Sequence, residues 1–155
     1  MLPLLALGHG TPAYADSALV VDTPVVSQPY TNPCNGDVPL MSGMHHSVIH
    51  YFIDSSGGMH LTTLDSYPDL KSDAPALPSG SSYVVNQIDT FTLNTIVGGS
   101  TGNNQFSMDF KDRFNVISQG PAPDFHHFFT IHLTIDANGV PTATHTDEDD
   151  NTCTG

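Results

Sequence analysis

Apolar and polar residues alternate along most of this chain with the two-residue period of half-buried β-strands. The alternation covers 41–53, 59–66, 83–94, 106–118, 125–136 and 142–146. Upstream, residues 16–33 carry Ala18-Leu19-Val20-Val21 but also Pro24, Pro29 and Pro33, which suits an arm or edge strand better than a central one. With that segment there are seven strands, and no stretch has the periodicity of an amphipathic helix. One frame, His-x-x-Ile-Asp-x-x-Gly, occurs twice, at His50–Gly57 and His132–Gly139. Each copy ends one alternating run and leads into the next, which is the signature of a β-hairpin. Asp and Asn cap such turns, and Gly accepts the positive φ they need.

Short strands at regular spacing predict an all-β, antiparallel fold: an up-and-down barrel or barrel-like sandwich of about seven to eight strands. Cys34 follows the first strand, and Cys153 lies near the end of the sequence. Paired, they make one disulfide that closes the fold and brings first and last strands together. A loop of that length stabilises by about 4–5 kcal/mol in the chain-entropy account. There is no CxxC and no further cysteine for a zinc knuckle.

Composition narrows the setting. Sixteen acidic residues face three basic ones, Lys71, Lys111 and Arg113, for a net charge of −13. Nucleic acid and anionic membrane surfaces need a basic footprint, so both are excluded as partners. Apolar Leu2–Leu7 followed by Ala13-Tyr14-Ala15 reads as a signal peptide over residues 1–15, leaving a single all-β domain over 16–155. No other segment approaches the roughly 18 apolar residues of a membrane helix. The expected location is secreted, or at least extracytoplasmic.

Strand parity places candidate chemistry. His127, Phe129, Ile131, Leu133 and Ile135 share the core face, with Ile49, Tyr51 and Ile53 in matching parity. His46, His50 and His132 take the other face, and His60 joins them if Phe52 pairs opposite His60. His46, His50, His60 and His132 could therefore hold Zn or Cu, with Asp54, Asp65 or Asp136 adding a carboxylate. The competing reading is a solvent face on which His alternates with Thr. The adjacent pairs His45–His46 and His126–His127 send their rings to opposite sides and cannot chelate within one strand. Neither hairpin turn has the ligand count of a calcium loop, and the acidic run Asp147–Asp150 fits a solvated tail. Asp89, Asp109 and Asp112 lie on strands and could pair as carboxylates, although Asp109 alternates with Lys111 and Arg113, which favours local ion pairing. Tyr51, Tyr83, Phe91 and Phe129 could line an interior that takes a small apolar ligand, or simply form core.

Several local motifs recur together: Pro33-Cys34-Asn35-Gly36-Asp37, His46-x-x-x-His50, Gly57-Gly58-Met59-His60, Phe114-x-Val116-Ile117-x-Gln119-Gly120, His132-x-Thr134-Ile135-Asp136-Ala137-Asn138-Gly139, and the late Cys153. In these the chain resembles a family of small exported bacterial all-β proteins of uncharacterised activity, over roughly residues 25–155. The resemblance implies secretion, one disulfide and an all-β domain, and it transfers no catalytic residues. A looser similarity in strand layout to dirigent-like and allene-oxide-cyclase-like barrels is analogy of fold alone.

The leading expectation is non-enzymatic binding of a small apolar ligand, or another role at the cell exterior. The alternatives are a His-based Zn or Cu protein, and a barrel isomerase or cyclase whose acid or base is an inward Tyr or Asp.

Overall fold

A computed structural model describes residues 17–96, 105–147 and 151–155. The expected signal peptide over residues 1–15, most of the acidic run and the Gly98–Asn104 connection lie outside these residues. All regular structure among the described residues is strand: β1 (Ser17–Pro29), β2 (Leu40–Ile53), β3 (Met59–Ser66), β4 (Leu70–Ser72), β5 (Tyr83–Ile96), β6 (Gln105–Ser118), β7 (Asp124–Ile135), β8 (Pro141–Asp147) and β9 (Thr152–Thr154). They form one antiparallel sheet in the order β1-β2-β3-β5-β6-β7-β8, with β4 pairing to β2 and β5, and β9 to β7. The seven long strands match the alternating runs, and β3 has the expected bounds.

Ladder register divides the sheet into two chemically different faces. The inner face carries Met41, Tyr83, Val85, Val116 and Phe125, which with Leu70 and Ala76 form the buried core. The outer face carries Thr62, Thr92, Asp109 and His132 in one row. Among the described residues no ladder joins β1 to β8, so the sheet stays open at both edges. Of the two expected forms, the barrel-like sandwich describes it.

Among the described residues, closure happens at one end, through side chains and the disulfide. The β1 ladder slips between Val25 and Gln28, where Ser27 adopts a φ of 48°. Its amide donates to Ser42 Oγ at 2.9 Å and its hydroxyl to Asp73 Oδ2 at 2.7 Å. The chain then crosses the inner face, bringing the Tyr30 ring to 5.1 Å from Phe114. Asn32 Nδ2 donates to Pro123 O at 3.2 Å, and Cys34 bonds Cys153 across a Cα separation of 5.8 Å. β4 covers the same end so closely that a Cβ on Gly43 would lie 2.8 Å from Leu70 Cα. At the opposite end nothing comparable among the described residues covers the inner face: Leu19, Tyr51 and Ile53 are 58%, 42% and 42% exposed.

The Pro-Cys-Asn-Gly-Asp segment is the lock of the closed end. Asp37 is completely buried and accepts hydrogen bonds from Tyr83 OH at 2.5 Å, Asn35 Nδ2 at 3.0 Å, Ser79 N at 3.3 Å and the Ser79 hydroxyl. Burial alone raises its pKa, but these donors outweigh burial and hold the carboxyl below its ordinary value.

The repeated hairpin frame builds the same turn twice. Asp54 N donates to Gly58 O and Asp136 N to Val140 O, at 2.9 Å each, while the two Asp side chains accept from the amides of Ser56 and Gly58, and of Asn138 and Val140. Gly57 and Gly139 supply φ values of +87° and +80°.

Candidate functional site

Across the inner face, the apolar pattern is interrupted by a continuous row of polar side chains. Asp65 on β3 stands directly opposite Asp89 on β5, and Asp89 directly opposite Asp112 on β6. Each lies on the apolar parity of its own strand: Asp112 falls between Phe110 and Phe114, and Asp89 between Gln87 and Phe91. A histidine closes each end of the row. His45 Nε2 on β2 lies 3.0 Å from Asp65 Oδ1, and His127 Nε2 on β7 lies 3.6 Å from Asp112 Oδ2. The row therefore reads His45–Asp65–Asp89–Asp112–His127 over five neighbouring strands.

Its surroundings explain its electrostatics. Gln87 Nε2 donates to Asp89 Oδ2 at 3.0 Å, whereas Asp89 Oδ1 and Asp112 Oδ1 are buried without a hydrogen-bond partner. Burial, then the hydrogen bond and negative charge of Asp112, then the charge of Asp65, push Asp89 up to about 7, against the pull of Gln87. Two carboxyls directly opposite one another do not both ionise readily, and one proton held between them is what the two orphaned oxygens lack. Tyr67 stacks on His45 at 4.8 Å, and burial together with Asp89 and Asp65 raises its phenol pKa. His127 Nδ1 is oriented by Asn151 Oδ1 at 3.1 Å, and its ring stacks between Phe125 and Phe129.

Beside the row opens a cavity of about 260 Å³, walled chiefly by Tyr30, Met41, Tyr67, Leu70, Val85 and Phe114. Gln87 lines this cavity and also bonds Asp89, so it links the apolar space to the carboxyl row. Burial pushes the Tyr30 phenol up to about 12, keeping it a neutral hydroxyl in this wall.

The aromatic residues expected to line an interior share the inner face, but none of the four lines this cavity. Tyr83 is core, fully buried with its hydroxyl on Asp37. Tyr51 sits at the uncovered end. Phe91 and Phe129 are half-buried next to the row, Phe129 directly opposite Asp112. The wall comes instead from Tyr30 and Tyr67, which lie in irregular segments where parity gives no signal.

The outer-face histidines do not converge. Phe52 does pair with His60, at 4.4 Å between stacked rings, yet each imidazole is engaged locally. His46 Nδ1 lies 2.6 Å from Asp22 Oδ1, and His132 sits between Asp109 Oδ1 at 2.7 Å and Thr134 Oγ1 at 3.1 Å. His60 spans Asp54 Oδ2 at 3.0 Å and Asn94 Oδ1 at 2.8 Å, and the Asp54 bond raises its pKa. His50 is exposed, in register with Ala18 of β1. No group of three or more His, Cys, Asp or Glu side chains with metal-binding geometry exists among the described residues. Asp54 and Asp136 are committed to their turns, and Asp65 points to the other face. The adjacent histidines split as parity requires: His45 and His127 inward, His46 and His126 outward.

Fold and site together define a disulfide-locked antiparallel sheet with a polar row across an otherwise apolar inner face. No family model, curated protein or solved structure matches the chain.

Proposed function

We propose that the protein works outside the cytoplasm and binds a small apolar molecule on the inner face of its sheet. The observation that carries this reading is the apolar cavity of about 260 Å³ between the core and the acidic row. Ligand sites are typically concave, mostly apolar and furnished with a few polar groups, at volumes of roughly 300–1,000 Å³. This cavity stands just below that range and suits a small ligand, with Gln28 and Gln87 as its polar contacts. The Cys34–Cys153 bond supports the location, since such bonds persist in oxidising compartments. Titration of the oxidised full chain with the neutral fluorophore N-phenyl-1-naphthylamine tests the reading. Saturable binding on the order of 10 μM or tighter is expected, weakened about tenfold when Val25→Trp fills the cavity. Absence of saturable binding contradicts it.

A second reading, an enzyme of isomerase or cyclase type, is favoured by the Asp89–Asp112 pair. A protonated carboxyl beside an ionisable one supplies an acid and a base within one site. Such an enzyme exchanges the α-protons of a bound ketone with solvent. Deuterium uptake into a panel of enolisable ketones in D₂O, abolished by Asp112→Asn, supports this reading, and no uptake above the buffer rate excludes it.

A further inference from the structure

The polar row has a property independent of what the inner face binds. Among the described residues, no Lys or Arg neutralises it. Lys111 and Arg113 flank Asp112 in sequence but take the outer face, in register with Thr90 and Ile88, and Lys71 on β4 is exposed opposite Val84. From β1 the residue at the level of His45 is Thr23, and β4 presents Leu70. Among the described residues, the other titratable groups on the inner side are the phenols of Tyr30, Tyr51, Tyr67 and Tyr83 and the Asp37 carboxyl, which Tyr83 and Ser79 hold at the closed end. The three carboxyls at the centre of the row therefore depend on protons, not on a Lys or Arg among the described residues, to offset their charge.

With both imidazoles and Asp89 protonated, the charges run plus, minus, zero, minus, plus: net neutral, with each neighbour attracted. With those three protons gone, they run zero, minus, minus, minus, zero, with like charges directly opposite on β3, β5 and β6. Like charges directly opposite destabilise a sheet, and more strongly where solvent is scarce. We propose that His45–Asp65–Asp89–Asp112–His127 is a proton-operated clasp: loaded, it draws β2, β3, β5, β6 and β7 together across the inner face, and unloaded, it loosens β3, β5 and β6. The cavity beside the row is then tighter in mild acid than in mild alkali.

Hydrogen–deuterium exchange of the oxidised full chain at about pH 6 and about pH 8.5, corrected for intrinsic rates, reads this strand by strand. The clasp predicts that amides of β3, β5 and β6 lose protection by about tenfold at the higher pH, and that Asp89→Asn, which keeps a donor towards Asp112 without a charge, reduces the change to under about threefold. Asp109→Asn, which breaks the outer Asp109–His132 pair, keeps the wild-type response. The proposal is overturned if Asp89→Asn responds like the wild type, if Asp109→Asn abolishes the response, or if wild-type protection in β5 and β6 is unchanged. Should Asp89→Asn fail to fold, Asp112→Asn replaces it, and the wild-type comparison alone still decides whether the loosening is confined to these strands.

Discussion

Asp37, in the connection between β1 and β2, and Asp89, on β5, are both shielded carboxyls, and their surroundings shift them in opposite directions. Asp37 is the more deeply buried, yet its pKa is lowered, because Tyr83, Ser79 and Asn35 together aim four donors at it. Asp89 is raised first by burial and then by Asp112 and Asp65, because Gln87 alone among its neighbours pulls the other way. Burial alone does not decide the charge of a buried acid; the balance of donors and neighbouring charges does. The first arrangement is what a structural lock needs. The second leaves an acid with capacity to spare, as expected of a group that handles protons or ligands.

The comparison can be broken at four points. The largest effect belongs to the closed end as a whole. Replacing Cys34 and Cys153 by Ser removes a link across 119 residues and is expected to lower stability by about 4 kcal/mol, read by urea denaturation. Asp37→Ala strands the Tyr83 hydroxyl and the Ser79 donors in the core, at a cost of about 3 kcal/mol. A loss below about 1 kcal/mol would show that Asp37 is no lock. Asp89→Asn runs the other way: at about pH 8 it is expected to stabilise by about 1–2 kcal/mol once solvent screening is allowed for, and at about pH 5 to be near neutral. The outer pair is the weakest. His132→Asn or Asp109→Asn changes stability by less than about 1 kcal/mol, since both partners are well exposed.

The two carboxyls also bracket the pH range of the fold. Asp37 has a lowered pKa, so its contribution is present above the ordinary carboxylate value and is lost as pH falls below it. Asp89 has a raised pKa, so its contribution is present below the ordinary value and is lost as pH rises through about 7. Stability is expected to peak between those limits and to decline earlier on the alkaline side than in Asp89→Asn.

Much of the architecture was legible as alternation. The long strands lie within a few residues of the alternating runs, because each buries one side against the inner face. β4 and β9 were not, since three-residue strands such as Leu70-Lys71-Ser72 are too short to carry a period. The inner row was half legible. Asp112 interrupts the parity of Phe106, Met108, Phe110, Phe114 and Val116, and His127 opens the core face of its strand. What a single strand cannot reveal is register, and only register sets Asp65, Asp89 and Asp112 opposite one another. The metal reading of His46, His50, His60 and His132 placed them on the correct face. It overlooked that Asp22, Asp54, Asn94, Asp109 and Thr134 stand within reach of single imidazoles on that same face.

The central claim is that one inner carboxyl holds its proton into the neutral range. Titration of the aspartate side-chain carboxyl ¹³C signals by NMR measures this directly. One aspartate with a midpoint at about 7 is expected, coupled to a second perturbed signal and lost in Asp89→Asn. If every aspartate in the folded protein titrates below about pH 5, the account is wrong.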